Sequence, residues 1–304
     1  MRFSQAREGL PTLGVGASLS FGASPDPVAL AQLQGGPSFI EYAGAVQHSF
    51  MQKPLAQLER LRVPVLYHPS CLNLWGSVPN PRPWLDAVNA HVRAVKSAWL
   101  AQDVALCFAS AECPGYSIQL GYFIAPILTA TTLREAARRV EEVVAAMDVP
   151  LLLEPAPVTF QLGEMDIFTW LGALAEMTDC GLLLDAGHVV SHQLARGASS
   201  LLEGLERLDL SRVVELHVAG GVIKRSGARQ HYVDAHDLPI LPETWQVFEH
   251  LLERTPSLRA VCVECEGSMA HSVLPVLEQT RRAVSRGTIN DALRTKVDAE
   301  RGAP

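Results

Sequence analysis

Val149–Glu154 reads VPLLLE and Gly181–Asp185 reads GLLLD. Each is a short, unbroken apolar run that stops on a carboxylate. Neither shows the apolar–polar alternation of a sheet with one wet face. Runs of this kind belong to strands covered on both faces, which is the usual condition of parallel strands. Working outward, similar runs occur at Thr12–Ser18, Ser38–Tyr42, Val63–His68, Val104–Ala109, Val213–Ala219 and Arg259–Glu264, making eight in all. Amphipathic helix patterns lie between several of them: Pro83–Ala101, Thr132–Met147, Asp166–Thr178, Gly197–Leu208 and Pro242–Thr255. Thr132 and Glu135 have the spacing of a capping box. Eight strands alternating with helices predict a (β/α)8 TIM barrel, read as one domain over residues 1–304. The charged residues from about Asn290 onward read as a helix end and a frayed tail. The rival is an open doubly wound sheet. Its nucleotide-binding form loses its usual marker, because Gly14-Val15-Gly16 is too short to make a phosphate loop.

Composition narrows the function. The chain has 304 residues, 48% of them apolar and 19% charged, enough to build a large core. The formal net charge is −7, the wrong sign for a general nucleic-acid binder. No apolar run is long enough to span a membrane, and no signal peptide opens the chain. Six scattered cysteines without a CxxC predict a reducing, cytoplasmic setting. The ten histidines are the unusual feature, because several follow directly on the apolar runs.

In a (β/α)8 barrel, chemistry sits at the C-terminal strand ends. The residues read there are Glu41, His68, Glu154, Asp185, His217 and Glu264. His188 follows Asp185 by one helical turn, and Asp234-Ala235-His236 places two ligand types on one side of an extended segment. A single buried Glu or His is usually a satisfied structural group. Several acids and imidazoles converging from separate strands are another matter, because buried carboxylates need compensating cations. Mixed carboxylate and imidazole donors suit Fe, Mn or Zn.

The segments Cys180–His188 (CGLLLDAGH), Leu216–Gly220 (LHVAG), Val233–Pro239 (VDAHDLP), Glu243–Leu251 (ETWQVFEHL) and Leu151–Glu154 (LLLE) resemble the multinuclear non-haem iron-dependent oxidative enzymes. That group is typified by methanobactin biosynthesis protein B and lies in the xylose-isomerase-like TIM-barrel superfamily. The resemblance runs from about Gly14 to Ser268 and implies iron as cofactor and dioxygen as co-substrate. It implies a peptide or amino-acid-like substrate in natural-product biosynthesis and a small partner protein that presents the peptide. Carried over residue by residue, it gives Glu154, Asp185, His217 and Glu264 to a central metal and His188, Asp234 and His236 to a second. His68 falls to a third, weaker site shared with Glu154. A histidine is expected at the end of strand four, and Ala105 stands there instead, so two ions are expected and the third site is expected to be weak or empty. Where many relatives carry Asn-Asn, this chain has Ala186-Gly187.

Other readings stay open at this stage. The same ligands fit a divalent-metal hydrolase or sugar isomerase, and the missing histidine fits a non-catalytic subunit. Glu41, Trp75 and Arg229 are candidate substrate-binding residues. Tyr116 and Tyr122 are candidates for a lid, while His48 and His192 lie where they would face either the site or a loop. A homodimer and a heterodimer with a small partner fit equally well.

Overall fold

Eight parallel strands close into a barrel in which every strand pairs with its sequence neighbours. The computed structural model describes residues 1–44, 51–110, 119–227 and 229–302. His48 and Tyr116 lie outside the described residues, as does the side chain of Tyr122. The barrel strands are β1 (Gly14–Ser18), β2 (Ile40–Tyr42), β3 (Val65–Tyr67), β4 (Leu100–Asp103), β5 (Leu151–Glu154), β6 (Gly181–Asp185), β7 (Val213–Ala219) and β8 (Ala260–Glu264). Among the described residues no helix is long and apolar enough to cross a membrane.

The apolar runs are continuous because each strand has two apolar faces to cover. Outward residues such as Leu153, Leu184, Val218 and Val263 pack with helix residues Val140, Leu171, Val189 and Phe248. Inward residues Phe39, Leu66, Ala101, Leu152, Leu183 and Cys262 form a second core inside the barrel. Side chains on a strand repeat every two residues. Two positions beyond these six lie Glu41, His68, Asp103, Glu154, Asp185 and Glu264. The inner core therefore ends in a ring of polar side chains.

Three sequence expectations require correction. The fourth barrel strand is Leu100–Asp103, not Val104–Ala109. It reads as LAQD and looks unlike a buried strand because Gln102 serves the preceding loop: its Oε1 accepts from the amides of Cys71 and Leu72, both at 3.3 Å. Leu106–Phe108 turns away into a separate strand pair with Gln119–Ile124. The helix after β6 is Ala186–Arg196, ended by Gly197 in the left-handed region, so no helix fills Gly197–Leu208. The capping box before residues 130–146 is Thr129 with Thr132, one turn earlier than Thr132 with Glu135.

The C-terminal residues are also ordered differently from a frayed tail. Asp291–Gly302 is a helix, and Asn290 Oδ1 accepts from the Leu293 amide at 2.9 Å. Leu293 and Val297 are both fully buried. The pattern looked like a tail because only two apolar residues face inward amid charge. Leu293→Ala is expected to cost about 2–5 kcal/mol of stability in denaturant unfolding. A frayed segment would show no change.

Candidate metal centre

The side chains ending the barrel strands meet at one face. Glu154 ends β5 and sits between two imidazoles, with Oε2 2.9 Å from His68 Nε2 and Oε1 3.1 Å from His188 Nδ1. Asp185 ends β6 and starts the helix that follows, its Oδ1 accepting from the His188 amide at 2.7 Å. This cap fixes His188 one turn on, where Nδ1 also lies 3.0 Å from the Pro155 carbonyl oxygen. His188 Nε2 faces Asp234 Oδ2 at 3.2 Å, and His236 Nε2 approaches the same oxygen at 3.2 Å. His217 on β7 pairs in register with Asp185 on one side and Cys262 on the other. Its Nδ1 is 3.2 Å from Glu264 Oε1 and its Nε2 is 3.1 Å from Glu41 Oε1.

All eight ligands expected from the sequence therefore lie at this centre. Several share atoms within 4.8 Å: Asp185 with His217 and Glu264, and His68 with Glu154 and His217. Asp103, which the sequence reading passed over, makes a further such group with Glu154 and His188. Asp103 and Glu154 are register partners on β4 and β5, which sets their side chains together on the inner face. Glu215 and Glu266 are also missed contributors. Glu215 Oε2 accepts from Trp99 Nε1 at 2.7 Å, below His217. Glu266 Oε2 lies 2.8 Å from His236 Nδ1 and fixes that ring from behind. The spacing Glu264-Cys265-Glu266 carried the signal for Glu266, since it puts both acids on one side of the chain.

Of the three substrate-binding candidates, Glu41 lies within the centre, while Trp75 and Arg229 make their contacts in other parts of the chain. Glu41 is fully buried beneath His217 and has no access to a substrate. Such a carboxylate behind a metal-facing imidazole sets its orientation and basicity. Trp75 gives its indole N–H to the Ile124 carbonyl at 2.7 Å and packs on the outer core. Arg229 is exposed at the tip of the hairpin formed by Gly221–Ser226 and Arg229–Asp234, opposite Ser226. His192 is buried, its Nε2 held by the Ala156 carbonyl, and burial lowers its pKa to about 3.

Local backbone shape brings the hairpin's Asp234 and His236 over the centre. His236 has φ +51, the left-handed region that a non-glycine residue enters only under local constraint. A side chain at Gly220 would collide with the Asp237 carbonyl, so glycine lets the two loops touch. Gly187 does the same for Tyr232, whose ring covers the start of the Ala186–Arg196 helix. An asparagine at position 187 would not fit under that ring.

Electrostatics decide what this centre needs. No Lys or Arg pairs with any of these acids among the described residues. Both Glu154 oxygens, Asp185 Oδ2, Asp234 Oδ1, Glu264 Oε2 and both His217 nitrogens are buried without a hydrogen bond. The close partners of these acids are the imidazoles of His68, His188, His217 and His236, and a buried carboxylate left over from such pairing costs several kcal/mol. Their oxygen and nitrogen donors are those of Fe, Mn or Zn sites, so the residues fit divalent ions. Without ions, protons do the compensating. Burial lowers the His68 pKa, but the Glu154 charge overrides it and raises the value to about 10. Burial and the Glu154 charge raise Asp103 to about 7, and burial with the Glu264 and Asp234 charges raises Asp185 to about 7.

The fold and this site define a TIM barrel whose mouth is lined by residues able to bind metal. More particularly, the chain belongs to the family of RiPP precursor modification enzymes MbnB/TglH/ChrH, which it matches over residues 3–284. Relatives include a UPF0276 protein of Anaeromyxobacter sp. (strain Fw109-5), 26% identical over 71% of this chain and 75% of that one. A UPF0276 protein of Neisseria meningitidis serogroup B is 23% identical over 67% of this chain and 70% of that one. Among solved structures, a xylose isomerase-like TIM-barrel protein from Mycobacterium smegmatis in complex with magnesium aligns with TM-score 0.57 at 14% identity. That alignment covers 91% of this chain and 97% of the other. Endonuclease IV from Thermus thermophilus aligns with TM-score 0.53 at 15% identity, covering 88% of this chain and 99% of that one.

The raised pKa values give the metal-free protein a pH signature. Asp103 and Asp185 stay protonated in the fold but ionise at their ordinary 3.8 when unfolded, so their stabilisation is lost as pH rises from about 4 through about 7. His68 is charged in the fold and neutral above its ordinary 6.5 when unfolded, so its share is lost as pH rises through about 10. The metal-free melting temperature is therefore expected to fall between about pH 6 and 9. A flat or rising profile in a thermal melt would contradict this assignment.

Proposed function

We propose that this protein is a multinuclear iron enzyme that uses dioxygen to modify oxidatively a peptide or amino-acid-like substrate in natural-product biosynthesis. The observation that carries the reading is the ring of buried carboxylates and imidazoles at the barrel mouth, with no Lys or Arg paired to it among the described residues. Family membership supports a ribosomally made peptide as substrate. Glu154, Asp185, His217 and Glu264 would hold a central ion. His188, Asp234 and His236 would hold a second, and His68 meets Glu154 at the far side. Iron, when bound, supplies one-electron chemistry and open coordination positions for dioxygen and for a substrate thiolate or carboxylate.

The chain's own residues do the rest. Glu41 and Glu266 lock the His217 and His236 rings from behind, so their metal-facing nitrogens need not reorganise. Glu154, with a carboxylate oxygen toward each side, joins neighbouring positions. The centre is graded in access. His217 is sealed from solvent, whereas the His236 side chain is 28% exposed and Asp234 17%. A substrate group therefore approaches from the Asp234–His236 side, next to the hairpin. A peptide presented by a small partner protein would reach the centre there, and a homodimer that serves the same reaction would have to leave that side open. The described cysteines are all unpaired, in keeping with a reducing compartment.

Anaerobic purification with metal analysis and Mössbauer spectroscopy tests the reading, and coupled iron is the expected result. Modification of a candidate precursor peptide, followed by mass spectrometry, should require dioxygen. Full turnover without oxygen would overturn the proposal, and cleavage of an abasic-site duplex would favour a hydrolase. Glu41→Gln removes the charge behind His217 without changing shape. It is expected to weaken iron binding by about 10–100-fold while leaving the fold intact by circular dichroism.

A further inference from the structure

We propose that Asp103 is a metal ligand, sharing an ion with Glu154 on the β4 side of the centre. This inference rests on the metal-centre reading above and extends it to a residue that the strand pattern hid. The expectation of a weak third site came from Ala105, taken as the end of strand four. The structure ends β4 two residues earlier. Ala105 is buried against Cys107, Phe108 and Ala156, and an alanine offers no donor atom. Asp103 is the contribution of β4.

Four observations carry the assignment. Asp103 is two residues beyond Ala101 of the inner core, hence directed inward. It is in register with Glu154, so the two carboxylates stand side by side. It offers an oxygen within 4.8 Å of ligand atoms from Glu154 and His188. It is only 2% exposed, and its Oδ1 has no hydrogen-bond partner. Two adjacent buried carboxylates with no Lys or Arg between them require protons, on one carboxyl or on the His68 and His188 rings that face Glu154, or a metal cation. An ion held by Asp103, Glu154 and an imidazole has three protein donors of types that iron, manganese and zinc accept. His68, on the other oxygen of Glu154, borders the same position.

The rival is a protonated Asp103 that merely hydrogen-bonds Glu154. Asp103→Asn separates the two, because its amide can donate the same hydrogen bond but removes the anionic ligand. The experiment loads metal-free wild type, Asp103→Asn and Asp103→Ala with Fe²⁺ under anaerobic conditions, desalts them and measures iron per chain. Both variants are expected to hold one ion fewer than wild type and to lose one component of the Mössbauer spectrum. Thermal melting gives an independent readout that does not depend on catalysis. Without iron, Asp103→Asn is expected to melt no lower than wild type, and its rise on loading should be smaller. Equal iron counts in all three proteins would overturn the proposal, as would a lower metal-free melting temperature for Asp103→Asn with its iron count unchanged. Wild type that takes up no iron would overturn the metal-centre reading itself, a result distinct from either.

Discussion

Carboxylates enter a protein interior only if something compensates them, and here the compensation does not come from Lys or Arg. Glu41, Asp103, Glu154, Asp185, Glu215 and Glu264 are all buried around His68, His188 and His217. Everything else in the structure serves that arrangement. The strands must be parallel so that their C-terminal ends share one face. They must be in register so that Asp103 meets Glu154 and Asp185 meets His217. The apolar inner core must be rigid, because charges at close range change their interaction steeply with distance in a low-dielectric interior.

Much of this was legible in the chain. Unbroken apolar runs predict parallel strands, and a run closed by Glu, Asp or His marks its own functional end. Glu154, Asp185, His217 and Glu264 were found that way, and Asp234 with His236 by their spacing. Asp103 escaped because LAQD does not look like a buried strand. Gln102 spends its side chain on the amides of Cys71 and Leu72, a long-range need that no local pattern announces. The apolar VALCFA just beyond it then drew the strand assignment forward. Had inward parity been counted from Ala101, Asp103 would have stood out. Glu41, expected to bind substrate, is fully buried beneath His217, since depth inside the barrel depends on how far each strand rises.

The centre divides into a fixed and an adjustable half. His217, Glu154 and Asp185 come from barrel strands and cannot shift without disturbing the inner core. Asp234 and His236 come from the hairpin and the loop beyond it, where Gly220 and the left-handed His236 allow close contact. Sites on strands hold geometry better than sites on loops, and loops adapt more readily to a ligand. A large substrate is best met on the adjustable side, with the electronic environment set by the fixed one. The exposure of His236 on that side fits this division.

The net charge of −7 has its explanation in the same place. Counted on the sequence, it looks like a general surface property. In the fold, many of the acids concentrate at one mouth, where protons balance them in the metal-free state. Raised histidine pKa values and protonated Asp103 and Asp185 are two expressions of that balance. A divalent ion entering the centre must displace those protons, since imidazole and carboxylate bind metal only when deprotonated. Metal uptake at this centre would therefore release protons. The acidic mouth limits its own repulsion because the donor atoms that fit a metal ion can also take protons.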